Sequence, residues 1–157
     1  METRSLIAVS NEHGSIDAIY CQWDGYLNHN GKILIQHYNN SDKARALIAL
    51  GDLSSLGNEI GRQHEVDWGY NNIANHNDNV SWCTSYNRDR SNSGSLLLHT
   101  APNQMVGWTV SNRRELVNIL DVEYYYLMEN GAWYVSTGHE FMLLHDAIEI
   151  ENEEEMV

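Results

Sequence analysis

The sequence predicts an α+β fold, an antiparallel sheet of hairpins with two to four helices packed on one side. Three observations predict it. Apolar segments suited to strands lie near both ends and are joined by turn chemistry, Glu12-His13-Gly14-Ser15 and Asn130-Gly131. Amphipathic stretches with capping residues follow at 41–50 and 112–120. The order runs strands, helices, strands, which disfavours the strict alternation of a doubly wound sheet.

Residues 5–9 form the first predicted strand, and 16–23 return beside it. Ile16, Ala18, Tyr20 and Gln22 share one face, with Asp17, Ile19, Cys21 and Trp23 on the other. Apolar groups on both faces predict a central strand, which Asp24-Gly25 ends. In residues 31–38, Ile33, Leu34, His37 and Tyr38 fall on one helical face, although so short an apolar run also fits a strand. Ser41 is the expected N-cap of a helix over 42–50, with Ala44, Leu47 and Ile48 inward and Gly51 at its C′ position. Leu53, Leu56 and Ile60 then continue at i, i+3, i+7 as a further helical turn.

Residues 61–79 are rich in Asn and aperiodic, which predicts a long, mobile loop. Val80, Trp82, Thr84 and Tyr86 alternate with polar residues as a half-buried strand. A charged and then flexible turn over 87–94 leads to another strand at 95–100. Asn112 with Glu115 makes a capping box for a helix over 113–120, with Leu116, Val117 and Leu120 inward. Residues 122–128 and 132–136 flank Asn130-Gly131 as a hairpin carrying Tyr124, Tyr125, Tyr126, Trp133 and Tyr134. A last helix over 141–150 uses Phe141, Leu144 and Ile148. Residues 1–148 are then one globular domain and 149–157 an acidic tail.

The 157 residues are 42% hydrophobic and 20% charged, too apolar for a disordered chain and too mixed for a membrane protein. The longest apolar runs are far shorter than the roughly 18 residues a membrane span needs. Residues 1–5 lack the pattern of a secretory leader, so a cytosolic protein is expected. Cys21 and Cys83 lie far apart with no paired spacing and read as buried reduced thiols. Twenty-two acids against nine Lys and Arg leave a net charge of −13. Direct binding of nucleic acid or an anionic membrane is disfavoured by that balance. Glu149, Glu151, Glu153, Glu154 and Glu155 form an acidic interaction surface suited to a basic partner.

No motif names a reaction. The eight His residues show neither H-x-x-x-H nor H-E-x-x-H spacing, so no metal site is predicted; His64-Glu65-Val66-Asp67 and His76-Asn77-Asp78 read as surface or core histidines. Neither a phosphate-binding glycine loop nor a nucleophile elbow occurs, and no cofactor is expected. Arg88-Asp89-Arg90 is the exception among few cations: two guanidinium forks around an Asp suit a phosphate or carboxylate. The plainer reading is an internal ion-pair network. Arg113-Arg114 reads as a solvated helix start. Trp23, Tyr26, Trp68, Tyr70 and Trp133 would stack a base or anchor an interface if they converged, and core packing is their commoner use.

At Thr3-Arg4-Ser5, Trp23-Asp24-Gly25-Tyr26, Leu50-Gly51-Asp52-Leu53-Ser54-Ser55-Leu56-Gly57 and Arg88-Asp89-Arg90 the chain resembles a family of short accessory proteins of tailed bacteriophages. The resemblance covers roughly residues 3–90. Family members often carry Pro where this chain has Leu27, and His where it has Asn87. The resemblance implies a small protein in the cytoplasm of an infected bacterium, inhibiting a host defence or nucleic-acid-processing complex through a basic surface of the target, of the anti-CRISPR or nucleic-acid-mimic kind. A homodimer is compatible with it. Two alternatives use Trp23, Asp24, Tyr26, Arg88, Asp89 and Arg90: sequestration of a nucleotide signal, or an enzyme acting on that nucleotide with Asp24 or Asp89 as base.

Overall fold

The first two strands, β1 (Ser5–Ser10) and β2 (Ile16–Cys21), pair antiparallel around the Asn11–Ser15 turn, where Gly14 N donates to Asn11 O. The computed structural model describes residues 2–62, 66–67, 72–73, 82–89 and 107–155. Leu6 and Ala8 point to one side of β1, Ile7 and Val9 to the other, and all four are buried. Such two-sided burial makes β1 and β2 the middle of the sheet.

After β2 comes one π turn (Leu27–Gly31) leading into α1 (Lys32–His37), and then α2 (Ser41–Ile48). Strand β3 is Leu53–Ser55, and two short strands, β4 (Val66–Asp67) and β5 (Asn72–Ile73), pair with each other. Strand β6 (Thr84–Ser85) runs straight into α3 (Tyr86–Asp89). The last part holds β7 (Trp108–Val110), α4 (Arg113–Ile119), β8 (Tyr124–Glu129), β9 (Ala132–Ser136), β10 (Met142–Leu143) and α5 (Leu144–Glu155).

Eight strands make one mixed, mostly antiparallel sheet in the order β10-β9-β8-β1-β2-β3-β6, with β7 also on β2. The parallel pairs are β1 with β8 and β2 with β3. Period-two alternation splits the core in two. On one face Ile7, Ile19, Tyr126, Met128 and Trp133 pack against Leu34 of α1, Leu47 of α2 and Leu144 and Ile148 of α5. On the other, Leu6, Ala18, Tyr125 and Leu127 meet Leu116 of α4. The expected α+β class is therefore present, with three helices on one face and α4 added on the opposite one.

Several local expectations need correction. Leu53, Leu56 and Ile60 do not continue a helix, because Gln22 N and Trp23 N take Leu53 O and Ser54 O and draw the segment into the sheet as β3. Asn40, not Ser41, caps α2, its Oδ1 accepting from Lys43 N at 2.8 Å. His37 is exposed; Leu34 and Tyr38 carry the buried face of α1. Residues 149–155 are not a loose tail, since α5 runs to Glu155. Phe141 precedes that helix and packs on the opposite face. Trp82 bridges to Glu59, while Tyr86 belongs to α3 rather than to the half-buried strand.

The Asn112 cap holds: Oδ1 accepts from Glu115 N at 2.9 Å, and Glu115 reaches back to Ser111 N at 2.8 Å. The strand expected at 95–100, most of the loop at 61–79, the flexible turn at 91–94 and the residues Trp68, Tyr70, Arg90, His64, His76 and His99 lie outside the described residues. No helix among the described residues is long and apolar enough to cross a membrane.

Candidate functional site

Five strands meet in one row across the sheet. Tyr124 pairs with Ser5, Ser5 with Cys21, Cys21 with Leu53, and Leu53 with Ser85. The segments at 3–5, 23–26, 50–57 and 88–89 therefore lie at this end of the sheet because strand register puts them there. Gly25 locks the first two together: its N–H donates to Thr3 O at 2.8 Å, and its carbonyl accepts from the buried Tyr126 hydroxyl. A Cβ at Gly25 would stand 2.9 Å from both Ser5 Cβ and Thr3 O, so only glycine fits.

Asp24 takes a left-handed backbone, φ 58°, and its carbonyl accepts from Asn30 N at 3.2 Å. Asn30, fully buried in the π turn, donates to Trp23 O and to Cys21 Sγ while its Oδ1 bonds His29 Nδ1 at 2.9 Å. With the backbone so pinned, Trp23 and Tyr26 stand out, 40% and 41% exposed. They are the only large aromatics among the described residues this open to solvent. Trp133, by contrast, is buried and donates from Nε1 to Tyr38 O at 2.9 Å.

Arg88 turns inward. Its guanidinium donates to both Asp89 carboxylate oxygens, to Ile60 O at 3.0 Å and to Cys83 O at 2.9 Å. Asp89 is buried and also accepts from Ser85 N at 2.8 Å. These donors are directed at the protein itself, which is the geometry of a structural ion-pair network. The structure thus brings α3 next to the end of β2, where the Tyr86 hydroxyl bonds Gln22 Oε1, without turning the Arg88 fork toward Trp23 or Tyr26.

One carboxyl in this region was not singled out by sequence reasoning. Asp52 is fully buried, its Oδ1 accepting from Tyr20 N at 2.9 Å and its carbonyl from Tyr86 N at 3.1 Å. The side chain fills the gap where the outer edge of β2 passes from β7, opposite Ile16–Ala18, to β3, opposite Cys21. Burial pushes its pKa up to about 7, partly offset by the Tyr20 hydrogen bond. An Asp inside the apolar run Leu50-Gly51-Asp52-Leu53 was the available signal. Burial also pushes the Cys21 thiol up to about 12, so Cys21 is a poor nucleophile.

The acidic surface is more ordered than a tail. Leu144, Ala147 and Ile148 seat α5 on the core, leaving Asp146, Glu149, Ile150 and Glu153 exposed at i, i+3, i+4 and i+7 on one face. Ile150 is 49% exposed in the middle of that acidic stripe. His145, Asp146 and Glu149 hold their ligand atoms within 4.8 Å of one another and could hold a divalent cation, with His145 Nε2 3.1 Å from Glu149 Oε1. All three are exposed, so such an ion would be largely solvated. No family model, curated protein or solved structure matches the chain, and the reading of its function rests on these residues.

Proposed function

We propose that the chain is a stoichiometric binding protein whose α5 presents negative charge to a basic surface on a protein partner. The carrying observation is the charge density of that helix. Four exposed carboxylates, Asp146, Glu149, Glu153 and Glu154, lie within residues 146–154 of α5, a length of about 13 Å. That is one charge per roughly 3.4 Å, close to the spacing of about 3.4 Å along one strand of B-DNA. A helix anchored on the core holds this array in place, which lowers the ordering cost a disordered tail would incur on binding. Ile150 supplies an apolar contact within it.

The resemblance to bacteriophage accessory proteins makes the partner a host defence or nucleic-acid-processing complex. A nucleotide clamp built on Arg88 has less support, because that guanidinium is engaged within the protein. The same holds for Asp89 as a base.

The test is co-purification from infected bacteria with a tagged chain, compared with the triple variant D146N, E149Q and E153Q. A partner retained by the wild type at low salt, and lost on raising salt or in the variant, is the expected result. Recovery of no protein, or equal recovery by the variant, overturns the proposal.

A further inference from the structure

Nine Lys and Arg among 22 acids leave little cationic surface, yet one groove gathers Arg113, Arg114 and His139. It lies between α4 and the turn from β9 to β10, with Val117 and Phe141 as apolar wall. Its volume of about 590 Å³ falls within the range of small-molecule sites. Arg113 is held in place: its guanidinium carbon lies 5.2 Å from the ring centroids of both Tyr134 and Phe141, and it is paired with Glu129. A fork oriented by packing loses little freedom when a ligand arrives.

Arg114 differs from its neighbour. It is exposed, and among the described residues its guanidinium makes no hydrogen bond or ion pair. Opposite it, Ser136 Oγ accepts from Gly138 N at 3.0 Å and His139 N at 3.1 Å, which fixes the turn carrying the exposed His139. Two guanidinium groups and an imidazole thus border a cavity with a half-buried aromatic wall. Glu140 on the same lining and the net charge of −13 oppose a long polyanion.

We propose that this groove binds a small organic anion with a flat apolar body. The phosphate or carboxylate head sits on Arg114 and His139, with Arg113 behind it, and the flat part packs on Phe141 and Val117. Arg114 is the specificity-determining cation because no other described residue engages its donors.

The full chain, labelled with nitrogen-15, is titrated separately with phenyl phosphate, benzoate and inorganic phosphate while the amides of Asn118, Gly138 and His139 are followed. Saturable shifts there are expected with phenyl phosphate or benzoate, the tighter of the two identifying the head group. Inorganic phosphate should bind about tenfold more weakly, since it lacks the flat body. Arg114→Ala, at an exposed side chain without partners among the described residues, should keep the fold and weaken the organic anion by about tenfold. No saturable shift with either organic anion at about 10 mM, inorganic phosphate binding as tightly, or an unaffected Arg114→Ala variant would each overturn the proposal.

Discussion

Asp52 sits where β2 exchanges one neighbour for another, and its side chain takes the Tyr20 amide that no strand meets there. Its pKa is near 7 in the folded chain against 3.8 when free. Between those values the folded state holds the proton and the unfolded state does not, so this carboxyl costs stability increasingly as pH rises from about 4 to above 7. The penalty is absent at lower pH. Asp52→Asn keeps the acceptor for Tyr20 and removes the titration. Its stability relative to wild type should therefore rise from pH 5 to pH 8, by about 1–3 kcal/mol, measured by urea unfolding at each pH. A difference that stays flat with pH would disprove the assignment. Gly25 and Asn130 show the opposite case, where the residue type was a legible instruction. Asn130 and Gly131 both take positive φ, 52° and 79°, which is the backbone a two-residue hairpin needs.

At the scale of elements, α5 separates folding from function by face. Leu144 is fully buried, so Leu144→Ala should cost about 2–5 kcal/mol. Neutralising Glu149 and Glu153, both exposed, should leave the thermal midpoint unchanged or raise it, because it relieves repulsion between acids four apart. If both changes destabilise equally by calorimetry, the acidic face is part of the fold rather than free for a partner. The helix itself was half legible. Leu144 and Ile148 at i, i+4 predicted it, but the density of Glu beyond Ile148 suggested solvation, and i, i+3, i+7 spacing of Asp146, Glu149 and Glu153 was the cue to its continuation. The β3 segment misled for the mirror reason: Leu53, Leu56 and Ile60 have helical spacing, yet a partner strand 32 residues back decided the matter. Periodicity reports which residues want burial, and only the neighbours decide the backbone that buries them. Arg88 was ambiguous for a related reason, since Ile60 O and Cys83 O, the acceptors that close its network, are backbone groups that no side-chain pattern shows.

Across the whole molecule, the pairing least legible in the sequence is the parallel one between β1 and β8, in which Ser5 lies opposite Tyr124. Contacts at such separation incur a large loop-closure entropy before they gain anything. β3 and β6 lie at one edge of the sheet, while the strands most deeply enclosed come from the first 21 and the last third of the chain. For a polypeptide leaving a ribosome, this means that one edge of β1 stays unpaired until β8 has emerged, although α1 and α2 are already available to one face of the hairpin. Stalled nascent chains ending at residue 115 should be cut readily by protease, and chains extended by a full tunnel length beyond β9 should resist. Protection already at residue 115 would show that β1 and β2 can be covered without β8. A protein made this way is committed late, and during that interval its supply of charge is what keeps neighbouring copies apart on a polysome.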